Sequence, residues 1–249
     1  MNRSRARAVG RRLVPARVRR ALYERHLTAW PPVGHVRLGH LRRTTPISTD
    51  FGYDRGSPID RYFIDRFVGD HAHDIHGAAL EFEDDAYLRR FGGDAVTSAD
   101  VLSVEAGLPG TTIVADLAAA DQLPVERFDS IVCTQVLQLV YDLDAAVHNL
   151  HRMLRPGGVV LATMPGITRI ARAPSGVWED QWRLTSASAR TLFEGVFGRN
   201  SVKTAWYGNP LVAISFLTGL AVSDLKPAEL EARHPDYEVL IGVRAVRAR

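Results

Sequence analysis

Carboxylates are the chemistry-bearing side chains that this sequence groups most tightly. Glu81 opens the run Glu81-Phe82-Glu83-Asp84-Asp85-Ala86-Tyr87, and Asp100 follows nineteen positions later beside another apolar stretch. In folds that alternate strands and helices, an acidic residue at about that interval ends the second strand and accepts ribose hydroxyls. The histidines His71, His73 and His76 have spacings that suit a metal, but they lie in a polar connection ahead of the first strand, so no metal site is assigned. Cys133, inside the apolar run 130–140, has no charged neighbour to activate it and reads as a small buried hydrophobe. His148 and His151 sit at a helix end, where a solvated or dipole-facing role outweighs a catalytic one. No catalytic residue is assigned.

The elements that would position these groups alternate in type. Residues 59–68 repeat apolar side chains at helical intervals behind Ser57 and Pro58. Strand candidates cover 78–82, 95–101, 111–114, 128–134 and 159–164, with helices expected between the first two strands and over 143–154, which Pro156-Gly157-Gly158 stops. A helix over 185–197, capped by Thr185 or Ser186, precedes closing strands at 201–206 and 237–245. This order predicts an α/β fold with a Rossmann-like seven-stranded sheet and helices on both faces. Leu211 to Leu220 form an apolar helix too short to span a bilayer, which either covers an acceptor pocket or provides an oligomer contact.

Composition sets the outer limits. With 249 residues, 46% hydrophobic, and one cysteine, the chain is long enough to bury a core without disulfides, and a reducing, cytoplasmic compartment fits. Residues 1–43 hold twelve Arg against Glu24, a charge of +11, which leaves −8 on the rest of a chain whose total is +3. The expected division is a basic leader over 1–43, a cap segment over 44–77 and the main domain over 78–249. Residues 3–30 interleave apolar residues with arginines, so the leader is a solvated arm, a targeting peptide, or a contact for anionic membrane through residues 1–30. Nucleic-acid binding is not expected, since the body is acidic and no recognition pattern follows.

The ordered series Phe128-Asp129-Ser130-Ile131-Val132, Ala115-Asp116-Leu117 and Leu154-Arg155-Pro156-Gly157-Gly158-Val159-Val160 resembles the class I S-adenosylmethionine-dependent methyltransferases over roughly 78–245. Trp182-Arg183-Leu184-Thr185 resembles a segment of their small-molecule branch. The stretch from Thr45 to Tyr62 is similar to bacterial methyltransferase-domain proteins associated with glycosyltransferases and glycan or specialised-metabolite pathways. The resemblance implies S-adenosylmethionine as cofactor; a doubly wound sheet would hold it over the turns after Phe82, Val101, Val114 and Thr134, with Leu117 and Gln135 beside it. It implies Asp116 as a partner of the adenine amino group, and a Gly-rich loop after Glu81. Here Glu83 stands in that loop and no glycine comes before Gly92, so either the cofactor sits differently, with Arg55 or Arg61 taking its carboxylate, or its binding is weakened or lost. Tyr53, Arg55, Trp178, Trp182, Arg183 and Tyr207 are the acceptor candidates, for O-methylation of a small molecule, and a homodimer is compatible. The alternative is a methyltransferase-like fold acting as a non-methylating cyclase or isomerase, or as a glycosyltransferase partner.

Overall fold

The structure, a computed structural model, describes residues 35–172 and 178–249 together with Pro15, Val18, Pro31 and Pro32. The amphipathic segment expected over 3–30 lies, but for Pro15 and Val18, outside the described residues. The chain divides into two units, residues 1–45 and 46–249. Within 1–45 the described residues include a short helical turn, Gly39–Leu41.

The second unit is built on a seven-stranded sheet. Its strands are β1 (Gly77–Phe82), β2 (Val96–Ser103), β3 (Ile113–Val114), β4 (Phe128–Thr134), β5 (Leu154–Pro165), β6 (Val202–Tyr207) and β7 (Leu240–Val246), in the spatial order β3-β2-β1-β4-β5-β7-β6. β1 to β5 pair in parallel, and β7 runs antiparallel between β5 and β6. The fold is thus the Rossmann-like seven-stranded architecture that the alternating pattern predicts. The chain builds outward from β1 to β3 and then returns to lay β4 on the other side of β1, so the order switches between β1 and β4.

Among the described residues, five α-helices complete this unit: α1 (Ile59–Asp70), α2 (Leu143–Met153), α3 (Ser186–Phe197), α4 (Pro210–Thr218) and α5 (Pro227–Glu231). Asp142 caps α2 by accepting the Ala145 N–H, and Thr185 rather than Ser186 caps α3 by accepting from Ser188. Two cores result. One places α2 and α3 against the sheet through Leu150, Met153, Phe193 and Phe197. The other places α1 and α4 against the opposite face through Phe63, Phe67, Val212 and Phe216.

Three local expectations are corrected. No regular α-helix joins β1 to β2; the crossover is a widened helical turn, Leu88–Gly92, followed by the short turn Gly93–Ala95. Pro156-Gly157-Gly158 does not separate α2 from a strand, because β5 begins at Leu154. Pairing with β4 jumps from Phe128–Leu154 to Ser130–Val159, so residues 155–158 bulge out, with Gly157 at φ +86°. β2 runs on to Ser103, which places Asp100 inside the strand.

α1 belongs to the body of this unit. Asp74, just beyond it, accepts two bonds from the Arg244 guanidinium on β7, both at 2.7 Å. Burial works against the Asp74 carboxylate, but Arg244 outweighs it and holds the group below its ordinary range. The Phe67 ring lies so close to Gly242 of β7 that an added Cβ would come within 2.5 Å of it. Gly242→Ala is therefore expected to destabilise the protein by about 1–3 kcal/mol through overpacking, read as a lower urea midpoint at unchanged slope. An unchanged midpoint would mean that α1 gives way easily.

Candidate functional site

A cavity of about 1030 Å³ opens over the carboxyl ends of β1 to β4, beside the switch in strand order. Its floor is shaped by backbone geometry that side chains normally avoid. Four non-glycine residues among those described have φ in the left-handed region, and three of them line this cavity: Phe51 (φ +52°), Glu83 (φ +69°) and Gln135 (φ +57°). Such conformations cost free energy and persist where the surroundings over-determine them, commonly at sites of function. Glu83 and Gln135 follow β1 and β4, the two strands that flank the switch. Each is held by the next strand: Glu83 N–H donates to Leu102 O at 3.0 Å and Gln135 N–H to Thr163 O at 2.9 Å.

The turn at Glu83 sends its carboxylate across to β2, where the Ser103 hydroxyl donates to it at 2.9 Å. Glu81 does a different job. Its two oxygens accept the N–H groups of Tyr87 and Leu88, at 3.2 and 2.9 Å, and so anchor the helical turn that crosses to β2. Burial pushes the Glu81 carboxyl up to about 7, against the pull of those two N–H groups and with help from Asp84 and Asp85.

Along the β3 side, Asp116 accepts from Ala118 N–H at 2.8 Å, and buried Asn149 of α2 donates to the Leu117 carbonyl at 2.8 Å. Opposite, Arg61 of α1 faces the cavity. Burial alone would depress its guanidinium, but Asp60, Tyr53 and a hydrogen bond with Tyr87 outweigh it, so Arg61 stays charged. Seven carboxylates and three arginines line the space, and no histidine does among the described residues. The surplus of carboxylates favours a ligand carrying positive charge.

Of the residues singled out from the sequence, the cavity brings together Glu81, Phe82, Glu83, Asp116, Leu117, Thr134, Gln135, Arg61, Tyr53, Trp178 and Arg183. Five others lie outside its lining. Asp100 is buried three residues before the end of β2, where Arg127 (2.6 Å) and the Thr112 hydroxyl (2.7 Å) occupy it, and Val101 is in the core beside it. Arg55 is taken by Asp224 through two bonds of 2.9 and 2.6 Å. Trp182 gives its indole N–H to the carbonyls of Val140 and Tyr141. Tyr207 is buried with its ring stacked on Phe63 at 5.4 Å. Arg183, although lining, acts as a strut, bonding Asp180, the Arg169 carbonyl and the Trp182 carbonyl.

Sequence reasoning missed Ser103, Phe51, Gln138 and Arg169. Ser103 was legible in principle, since the apolar pair Val101-Leu102 carries β2 past Asp100. Arg169 lies over the Phe51 ring, 3.6 Å from its centre, and donates to Thr49 O at 2.6 Å. The side-chain amide of buried Gln138 donates to the Gln135 backbone carbonyl at 2.8 Å, while the Gln138 backbone carbonyl accepts the N–H groups of Gln181 and Trp182, which ties segment 178–184 to the end of β4. Cys133 is buried in the sheet, and burial raises its thiol pKa, in keeping with a structural role.

The sequence pattern of a family described as a methyltransferase domain matches residues 87–162, a stretch that starts beyond Glu81–Asp85 and ends within β5. A comparison with curated protein sequences finds no match. Among solved structures, phosphoethanolamine N-methyltransferase 2 of Haemonchus contortus, in complex with S-adenosylhomocysteine, is similar at 10% identity and a TM-score of 0.46. The match covers 80% of this chain and 60% of that one, so this chain spans about three fifths of that relative. An S-adenosylmethionine-dependent methyltransferase of Mesorhizobium loti is similar at 16% identity and a TM-score of 0.47, covering 70% of this chain and 93% of its own. The N-methyltransferase NodS of Bradyrhizobium japonicum, with S-adenosylhomocysteine, is similar at 14% identity and a TM-score of 0.46, covering 91% and 96%.

Glu81 makes folding stability depend on pH. Its carboxyl titrates near 7 in the folded protein and near 4.5 when unfolded, so the folded state keeps a proton that the unfolded state releases between these values. Its contribution is complete below pH 4.5 and is lost as pH rises through about 7, on the order of 3 kcal/mol in all. Glu81→Gln, which imitates the protonated acid, is expected to flatten this part of the stability profile in urea unfolding at pH 4.5 to 8. Parallel profiles for the two proteins would show that Glu81 ionises normally.

Proposed function

We propose that the protein transfers the methyl group of S-adenosylmethionine to a hydroxyl of a small-molecule acceptor, of the glycan or specialised-metabolite kind. The observation that carries this reading is the left-handed turn at Glu83, which lays a carboxylate against Ser103 at the carboxyl end of β2. A ribose needs an acidic acceptor at that strand end; Glu105, two residues beyond β2, is not part of the cavity lining, whereas Glu83 from the neighbouring strand is. The same turn answers the lack of glycine, because the backbone takes the bend that glycine makes easy, with the side chain leaving toward β2.

The lining residues suit the rest of the cofactor. Asp116 would accept from the adenine amino group, with Val104 and Leu117 as apolar walls, and Arg61 would pair with the carboxylate of the methionine part; all four line the cavity. When bound, S-adenosylmethionine supplies a methyl group already activated by its sulfonium, so the protein's task is chiefly placement. Tyr53, Phe51 and Trp178 offer ring faces to the acceptor, and Arg169 a positive edge. Asp60, whose Oδ1 accepts the Arg61 N–H at 2.9 Å and whose carboxyl burial raises above the ordinary range, takes the acceptor's hydroxyl proton.

The crowding of Glu81, Glu83 and Asp84 on one turn favours a second reading, a fold of this type that no longer transfers methyl groups and serves as a cyclase, an isomerase or a glycosyltransferase partner. Calorimetric titration with S-adenosylmethionine and S-adenosylhomocysteine separates the two. The first reading expects micromolar binding that Glu83→Gln weakens by about tenfold to a hundredfold, the loss of a charge-assisted bond. No binding to folded protein would make the second reading the leading one. Asp60→Asn is expected to retain the affinity and lose methyl transfer to any acceptor found. Full turnover in that variant would assign the proton to another group.

A further inference from the structure

We propose that the outer face of α4 docks on an anionic membrane surface. Along this nine-residue helix, Leu211, Ile214 and Leu217 recur at every third position and are 43%, 45% and 41% exposed, while Val212, Ala213, Ser215 and Phe216 between them are buried. The helix carries no charged residue. Single exposed leucines are ordinary, but an unbroken aliphatic stripe on one helix face marks a contact surface.

Charge complementarity identifies what meets it. The segment that enters this unit, residues 1–43, carries +11, and the chain arrives at α4 itself: the N–H groups of Ile47 and Ser48 both donate to the carbonyl of Thr218, its last residue, at 2.7 and 3.2 Å. An arginine-rich stretch covalently delivered to the end of an aliphatic stripe combines two modest signals, and stable attachment to a bilayer takes two. A second copy of the chain fits less well. Three side chains offer much less than the roughly 800 Å² per partner of a stable protein interface. No helix among the described residues is long and apolar enough to cross a membrane, so the attachment is peripheral. Phe216, on the inner side of the same helix, lines the cavity beside Phe51, ring centres 6.4 Å apart. Docking would thus hold one wall of the cavity about one helix diameter, roughly 10 Å, from the bilayer. The docking does not depend on the methyl-transfer reading.

Cosedimentation of the full chain with vesicles of phosphatidylcholine alone and of phosphatidylcholine mixed with phosphatidylglycerol tests this. The wild type is expected to sediment with the mixed vesicles and Ile214→Glu/Leu217→Glu to lose about tenfold in bound fraction, at an unchanged thermal midpoint because both side chains face water. Leu211→Gln/Ile214→Gln serves as the milder variant should the first fail to fold. Three results would overturn the proposal: wild-type binding in a folded variant, no vesicle binding by the wild type, or a wild-type dimer in gel filtration that the variant converts to monomer.

Discussion

Between β1 and β4 the sheet reverses its direction of growth, and at that seam the chain must leave two adjacent parallel strands in opposite senses within a residue of each strand's end. The left-handed backbone at Glu83 and Gln135 meets this constraint. Neither residue is a glycine, so each bend is held by the next strand outward, through Leu102 on one side and Thr163 on the other. The cavity exists because the two bends diverge. What lines it follows from the same geometry, since a residue with positive φ throws its side chain where ordinary strand continuation would not.

Electrostatics then divides the space. Buried carboxylates are costly unless paired or protonated, and the lining settles each differently. Glu81 is drawn toward its protonated form while bonded to two N–H groups, Asp180 is paired with Arg183, and Glu83, which is exposed, accepts the Ser103 hydroxyl. The arginines are likewise committed in part: Arg61 among Asp60 and two tyrosines, Arg169 on the Phe51 ring and the Thr49 carbonyl. A ligand with both a cationic centre and a carboxylate finds complementary partners on opposite sides of one space, which is the demand that a sulfonium amino acid makes.

Much of the fold was legible in the sequence because its signals are local. α2 and α3 carry their own caps in Asp142 and Thr185, and β4 is a short apolar run bounded by polar residues. What was not legible depends on partners distant in sequence. Asp100 has the residue type and interval of a ribose ligand, but Arg127 and Thr112 claim it inside β2, and nothing in residues 96–103 announces that pairing. Arg55 is spent on Asp224, 169 residues away, and the Tyr207 ring goes to Phe63. Conversely, the glycine-poor run at Glu83 looked like a defect in one dimension, because the bend that a non-glycine residue makes there is imposed by β2 and leaves no local mark.

β7 is the last strand of the sheet in sequence, and it lies between β5 and β6. On the ribosome, β1 to β5 can assemble in the order they emerge, and with them most of the cavity floor. Until residues 240–246 follow, β5 keeps an open hydrogen-bonding edge and β6 has no neighbour to join. Closure of the sheet therefore waits on residues 240–246, and until they are added the nascent chain presents an unpaired strand edge that can pair wrongly with other chains. The position of one strand thus sets the order of assembly and the interval during which the protein is most at risk.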